Sequence, residues 1–131
     1  MILEDDLQTL AKILDRLYRL EERLTNGENP KEIAVTVLSE YTQVEEYVNA
    51  NPNPQFDIVL LDRDCKAGGS FHTLDLAKIG VNKVIAISSI PQYNEEAKKR
   101  GITRIVHKDY SRLSYFTERL CRHIEEMILE S

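Results

Sequence analysis

The sequence predicts an α/β fold in which a parallel sheet of five strands lies between two layers of helices. Residues 58–61 and 84–87 are continuously apolar. Neither run has a polar face, so a strand of this kind needs to be covered on both sides. Other segments carry apolar residues at helical spacing. Strands that alternate with helices are joined by right-handed crossovers, which gives a doubly wound sheet.

The first predicted strand is short and leads into a long helix. The strand covers residues 2–3, and the helix begins at Leu7 with Asp5 or Asp6 as its N-cap. An Asn-Gly pair at 26–27 is expected to end this helix. The apolar stripe predicted for the helix consists of Leu7, Leu10, Ala11, Leu14, Leu17, Tyr18 and Leu24.

The second and third strands surround a shorter helix. Residues 33–38 are rich in β-branched side chains and predict the second strand. Ser39 is the expected N-cap of the following helix, which stops before Pro52. The third strand is expected at 56–62, and a loop at 63–70 that contains two glycines follows it.

The remaining chain supplies two further strands and three helices. Helices are expected at 73–79 and 94–100, and strands at 83–87 and 103–107. The last helix follows Ser111, and the order of elements is therefore (βα)5. The apolar face predicted for the last helix consists of Leu113, Phe116, Leu120, Ile124, Met127 and Ile128.

Composition predicts one globular domain over residues 1–131. The net charge of -5, without any block of basic residues, argues against a nucleic-acid-binding surface. No apolar run approaches the roughly 20 residues of a membrane span, and no signal peptide is recognisable. Cys65 and Cys121 lack metal or redox spacing and are expected to be free thiols. The expected location is the cytoplasm.

Polar residues follow four of the five predicted strands. For a chain of this size the flavodoxin-like strand order 2-1-3-4-5 is expected, and ligands bind at the carboxyl ends of such strands. Glu4 and Asp5 follow the first strand, and Asp62 ends the third. Ser88 follows the fourth strand, with Ser89 as a neighbouring alternative, and Lys108 follows the fifth. These side chains are therefore expected to meet at one edge of the sheet.

The negative charges of carboxylates that meet at one edge repel each other and need to be compensated. Two of them about 4 Å apart repel by about 4 kcal/mol at an effective dielectric constant of about 20. A proton, a lysine or a cation can remove this cost, and Mg²⁺ is often held by one or two carboxylates. A carboxylate can also attack phosphorus, and a lysine, a hydroxyl and Mg²⁺ then stabilise the phosphoryl group.

Four stretches of the chain together resemble the receiver domain of response regulators, the CheY-like family of two-component signalling. The resemblance implies that Asp62 is the phosphoacceptor and that Glu4 and Asp5 are the acidic pair, with Asp5 in the place of a direct Mg²⁺ ligand. It further implies a third protein ligand in the backbone carbonyl of Asp64, a switch hydroxyl in Ser88 and a phosphate-contacting lysine in Lys108. The matching stretches are Ile2-Leu3-Glu4-Asp5-Asp6, Ile58-Val59-Leu60-Leu61-Asp62, Val84-Ile85-Ala86-Ile87-Ser88-Ser89 and Val106-His107-Lys108.

Three positions depart from that family's pattern. Lys66 replaces the usual proline in the loop after the phosphoacceptor, and Ile105 replaces the aromatic switch residue of strand 5, for which Tyr110 is the nearest substitute. Asp109 replaces a proline that follows a cis bond. A cis bond without proline costs about 3 kcal/mol. We therefore expect a trans or strained bond and a displaced Lys108.

The expected function is that of a stand-alone receiver with no enzyme activity beyond its own phosphorylation and dephosphorylation. Its expected partners are a histidine kinase or phosphotransfer protein, a downstream protein and, through self-association, a second copy of the chain. Nucleic acid and membrane are not expected partners. The first alternative is a pseudo-receiver, which docks onto proteins independently of phosphorylation. The second is a small-molecule-binding domain, which would have a deep apolar pocket at the same edge.

Overall fold

Five short strands form one parallel sheet. They are β1 (Ile2–Leu3), β2 (Val37–Leu38), β3 (Val59–Asp62), β4 (Val84–Ser88) and β5 (Arg104–His107). Their order is β2-β1-β3-β4-β5, which confirms the predicted flavodoxin-like (βα)5 topology. The computed structural model describes residues 1–51, 56–64 and 74–130.

Helices cover both faces of the sheet. Successive residues of a strand point to opposite faces, and this alternation explains the apolar runs. The helices are α1 (Leu7–Thr25), α2 (Tyr41–Ala50), α3 (Leu76–Ile79), α4 (Pro91–Lys99) and α5 (Leu113–Glu130), with 3-10 turns at Val81–Lys83 and Tyr110–Arg112. Val59 and Leu61 pack in the cluster that includes residues of α2, α3 and α4, whereas Leu60 packs in the cluster that includes residues of α1 and α5.

Helix α1 begins as predicted but buries a different face. The side chain of Asp6 accepts a hydrogen bond from the backbone N–H of Thr9 at 3.0 Å and so caps the helix. The predicted stripe is wrong for part of its length because Leu7 and Tyr18 are 78% and 61% exposed. Apolar residues lie on two sides of this helix, and their spacing does not reveal which side faces the sheet. The buried residues are Thr9, Ile13, Leu17 and Leu20.

Strand β2 is shorter than the predicted strand at 33–38. A strand persists only where a neighbour supplies partners, and β1 offers two residues. Ile2 pairs with Val37, and one further hydrogen bond joins the N–H of Ile2 to the carbonyl of Thr36 at 2.8 Å. Helix α2 then begins one residue later than predicted, because Glu40 rather than Ser39 is the N-cap in a capping box with Gln43.

Other boundaries differ by a few residues. Helix α3 begins late, after Asp75, whose side chain accepts from the N–H of Ala77. Helix α4 begins early because Pro91 occupies its first turn, where a missing N–H costs nothing. Gly80 and Gly101 end helices with positive φ angles of 93° and 94°, which suits glycine. Of the helices that the structure describes, none has the length and apolarity needed to cross a membrane.

Candidate functional site

The carboxyl edge of the sheet brings together the polar residues that follow its strands. In the parallel register Leu3 lies beside Leu61, and Asp62 lies beside Ile87. The residues that follow these positions therefore reach the same edge. Four polar side chains are buried there, with exposures between 0% and 2%: Glu4, Asp62, Ser88 and Lys108.

The ammonium of Lys108 joins two carboxylates. Its Nζ atom lies 3.0 Å from both carboxylate oxygens of Glu4 and 3.2 Å from Oδ2 of Asp62. The backbone N–H of Lys108 donates to the carbonyl of Ser88 at 2.9 Å, which continues the hydrogen bonding between β4 and β5. No cis peptide occurs in the described ranges, and the Lys108–Asp109 bond is trans. Contrary to our expectation, Lys108 is not displaced.

Burial controls the ionisation of this cluster. Desolvation, with the nearby charge of Asp62, raises the pKa of Glu4 to about 8 against the opposing effect of Lys108. Desolvation likewise raises the pKa of Asp62 above its ordinary value, although the charge of Lys108 opposes this shift. Desolvation would lower the pKa of Lys108, but the two carboxylates outweigh it and the pKa is raised. Two carboxyl groups thus share one cation.

Three carboxylates can converge on a metal ion. Glu4, Asp5 and Asp62 each offer one oxygen, and these three oxygens lie within 4.8 Å of one another. Asp5 is only partly buried, so the group is open toward solvent on its side. A set of carboxylate oxygens suits a hard divalent cation such as Mg²⁺. The residues present therefore fit a divalent cation, and the role of the Asp64 carbonyl as a further ligand stays a prediction.

The side chain of Asp64 accepts hydrogen bonds at the same edge. The hydroxyl of Ser88 donates to Oδ1 at 2.6 Å, and the backbone N–H of Ser89 donates to Oδ2 at 2.8 Å. Burial opposes ionisation of Asp64, but these hydrogen bonds outweigh it and lower the pKa of this carboxyl. The Asp64 backbone N–H in turn donates to Oδ1 of Asp62 at 3.0 Å.

Sequence reasoning missed this use of the Asp64 side chain, because it assigned only the backbone carbonyl of that residue. A signal was present in the sequence. Ser88 and Ser89 come just before a helix that begins at Pro91. The hydroxyl and backbone N–H groups at the start of a helix need hydrogen-bond acceptors. The acid two residues beyond the end of β3 is close enough to supply one. The side-chain direction of Asp64 still required coordinates.

Tyr110 lies at the rim of the site, and Ile105 does not. The hydroxyl of Tyr110 donates to Oδ2 of Asp64 at 3.3 Å, and Nζ of Lys108 lies 4.8 Å from the centre of the Tyr110 ring. Burial raises the pKa of this phenol to about 12, so it is protonated and able to donate. Ile105 packs instead against the core cluster shared with helices α2, α3 and α4.

Arg63 connects the site to helix α4. Its side chain is 5% exposed, and its guanidinium lies 3.4 Å from a carboxylate oxygen of Glu96. The guanidinium carbon lies 4.7 Å from the centre of the Tyr93 ring, a cation–π distance. Arg63 therefore pairs with Glu96, a residue of α4.

The remaining candidates fall away from the site or outside the described ranges. His107 is exposed on β5, and His123 of α5 lies beside Arg104, with 3.0 Å between ring Nδ1 and guanidinium Nη1. The structure does not describe three further residues, Cys65, Lys66 and His72. A cavity of about 390 Å³ opens at the opposite end of the sheet, and its lining is mixed, with apolar residues such as Ile2 and Ile58 beside Glu32 and Asp57.

Comparisons with known proteins identify no relative. Neither protein-family models, nor curated proteins, nor solved structures give a significant match. The functional inference therefore depends on the fold and on the geometry at the carboxyl edge of the sheet.

Proposed function

We propose that this chain is a receiver-type phosphoacceptor in which Asp62 takes a phosphoryl group. One observation carries the proposal: Lys108 lies between Glu4 and Asp62, with Asp5 close enough to share a cation with both. This arrangement is buried at the carboxyl edge of a flavodoxin-like sheet, the edge at which such folds bind ligands. The family resemblance of the four strand-end motifs supports the same assignment.

The proposed reaction is transfer from a phosphohistidine of a partner protein. A carboxylate oxygen of Asp62 forms the new bond to phosphorus as the phosphorus–nitrogen bond breaks, and the imidazole leaves with the bonding electron pair. A cation held by Glu4, Asp5 and Asp62 would neutralise charge on the phosphoryl oxygens. Lys108 is placed to balance charge from the buried side, and the Ser88 hydroxyl is a candidate donor to a phosphoryl oxygen.

The partners follow from this chemistry. A histidine kinase or a phosphotransfer protein would supply the phosphoryl group. We propose that a downstream protein, or a second copy of this chain, reads the phosphorylated state. Mg²⁺ is the proposed cofactor.

The decisive test uses a small phosphodonor. Incubation with acetyl phosphate and Mg²⁺ should add the mass of one phosphoryl group to the intact protein, and Asp62→Asn should abolish this addition. Asp57→Asn is the matched control because Asp57 is an exposed aspartate five positions earlier in the chain. Wild-type protein that gains no phosphoryl group, and shows no response to beryllofluoride with Mg²⁺, would disprove the proposal.

One observation favours a second candidate, a pseudo-receiver that docks onto proteins without phosphorylation. Lys108 already balances one of the two negative charges of Glu4 and Asp62, and a proton on Glu4 can remove the other. The charges of such a cluster are compensated without a metal ion. Titration with Mg²⁺ separates the two candidates, because a docking module of this kind would show no saturable change at the amides of Asp5 and Asp62 in an NMR spectrum.

A further inference from the structure

The hydroxyl of Ser88 is already in use. It donates to Oδ1 of Asp64 at 2.6 Å and accepts from the backbone N–H of Ile90 at 2.9 Å. A serine hydroxyl has one proton to donate. The short distance to an ionised carboxylate marks a charge-assisted hydrogen bond, which is stronger than one between neutral groups.

A phosphoryl group on Asp62 would need the same donor. Oδ1 of Asp62 accepts a hydrogen bond from the backbone N–H of Asp64, two residues further along the chain. This hydrogen bond keeps the two residues close together. Both side chains lie at one edge of the sheet, and Ser88 is the hydroxyl buried there with Lys108. The Ser88 proton cannot serve the Asp64 carboxylate and a phosphoryl oxygen at once.

Two further donors hold Asp64 in this position. The backbone N–H of Ser89 donates to Oδ2 at 2.8 Å, and the hydroxyl of Tyr110 donates to the same oxygen at 3.3 Å. The Asp64 carboxylate therefore accepts three hydrogen bonds from groups on β4, the segment after it and the turn before α5. An anion with several oxygens, such as a phosphoryl group, could accept from these same groups.

We propose that the carboxylate of Asp64 is an internal competitor of the phosphoryl group, an inference that rests on the proposed function. Asp64 occupies the Ser88 and Ser89 donors in the unphosphorylated chain. A phosphoryl group on Asp62 gains these donors only when the Asp64 side chain turns away. Only molecules in which Asp64 has released the two serine donors can offer them to a phosphoryl group. The apparent affinity of the site for a phosphoryl group is therefore its intrinsic affinity multiplied by the fraction of such molecules.

Beryllofluoride, a phosphoryl mimic, tests the competition by direct binding. Its dissociation constant in the presence of Mg²⁺ is measured by fluorine NMR for wild type, Asp64→Ala and Asp64→Asn. The alanine variant keeps the backbone carbonyl of residue 64 but frees both serine donors. We expect it to bind beryllofluoride about tenfold more tightly than wild type, since the hydrogen bonds from Ser88 and Ser89 to Asp64 no longer have to be displaced.

The asparagine variant separates competition from simple charge repulsion. Its amide oxygen can still accept one of the hydrogen bonds, although its charge is gone. Competition predicts an affinity between those of wild type and Asp64→Ala, whereas repulsion alone predicts equal affinities for the two variants. Hydrogen exchange of the Ser89 amide without beryllofluoride gives an independent readout, and it should be faster in Asp64→Ala than in wild type.

Each outcome decides the proposal. Tighter binding in Asp64→Ala, intermediate binding in Asp64→Asn and faster Ser89 exchange support it. Equal or weaker binding in Asp64→Ala, or equal affinities of the two variants, overturns the competition while leaving Asp62 as the phosphoacceptor. Absence of beryllofluoride binding in all three proteins overturns the competition together with the proposed function.

Discussion

The ammonium of Lys108 neutralises the carboxylates of Glu4 and Asp62 from the buried side. The ion pairs of Lys108 are 3.0 Å and 3.2 Å long, and all three side chains are at most 1% exposed. A buried charge that loses its partner is strongly destabilising, because desolvation is no longer offset. Lys108 therefore bears on stability as well as on any chemistry at this edge.

Replacing Lys108 with methionine tests this role. Lys108→Met should lower the free energy of unfolding by about 3–5 kcal/mol, because two carboxyl groups remain buried without a cation. Urea denaturation at neutral pH measures the loss. Adding Glu4→Gln should recover part of it, since the two residues are in contact and their effects are not additive. Lys98→Met, at an exposed ion pair with Glu95, is the control and should cost at most about 1 kcal/mol.

The ionisation of Glu4 predicts a pH dependence of stability. Its pKa is about 8 in the folded chain against an ordinary value of 4.5. Between these values the folded state binds more protons than the unfolded state, so the free energy of unfolding falls as pH rises from 4.5 toward 8. Urea denaturation in the absence of divalent cations measures this slope. Glu4→Gln cannot titrate, and a slope as steep in that variant as in wild type would contradict the assignment.

At the level of single residues, the sequence located the edge but not the contacts. Glu4, Asp62 and Lys108 could be placed together because each follows a strand, and parallel strands end at one edge. The direction of the Asp64 side chain could not be inferred, because it depends on a rotamer and on donors from two other elements. The peptide bond before Asp109 is trans, as we expected, but Lys108 is not displaced from the site.

Helix α1 shows what periodicity can and cannot predict. Its start, its end and its capping residue follow from local rules that act within a few residues. Its buried face depends on the sheet and on α5, which the local sequence does not contain. Ile13 is fully buried although it was absent from the predicted stripe, and its neighbour Leu14 is 37% exposed although it was included.

These two neighbours form a matched pair for measurement. Ile13→Ala should lower the free energy of unfolding by about 2–5 kcal/mol, because it removes buried methyl groups and leaves a cavity. Leu14→Ala should cost less than about 1 kcal/mol, because its side chain is already partly in water. Equilibrium urea denaturation of both variants checks the difference. A loss for Leu14→Ala as large as that for Ile13→Ala would contradict this packing of α1.

Strand lengths were the least predictable feature of the elements. The apolar run at 84–87 became β4 almost unchanged, because neighbours pair with it on both sides. The β-branched run at 33–38 contributed only its last two residues as β2, because β1 supplies no more partners. Strand propensity therefore identified both segments, and pairing decided how much of each became a strand.

The fold as a whole was predictable because it depends on the alternation of strands and helices rather than on exact boundaries. The strand order 2-1-3-4-5 appears in the structure as expected. It brings the first and third strands side by side, which is why residues 58 positions apart, Glu4 and Asp62, share one ammonium.

Binding of Mg²⁺ should stabilise the whole molecule. A ligand that binds only the folded state raises the free energy of unfolding by about 2.7 kcal/mol at a hundredfold excess over its Kd. Thermal denaturation with Mg²⁺ and with a chelator should therefore show a higher Tm in Mg²⁺. Asp5→Asn should remove this difference, because Asp5 supplies one of the three converging carboxylates.

The control for this prediction is Asp15→Asn, which removes an exposed carboxylate on α1 that pairs with Arg19. It should keep the full Mg²⁺ effect. A Tm shift that persists in Asp5→Asn would place the bound ion elsewhere on the molecule.

The side chains of residues 62–64 contact two different parts of the molecule, and this arrangement links the carboxyl edge of the sheet to α4. The carboxylates of Asp62 and Asp64 lie at the edge of the sheet, whereas Arg63 between them pairs with Glu96 and lies over the Tyr93 ring, both on α4. Arg63 is bonded directly to Asp64. A withdrawal of Asp64 from Ser88 that moves its backbone would therefore also move the Arg63 guanidinium against α4, and the outer surface of that helix would then change with the state of the site.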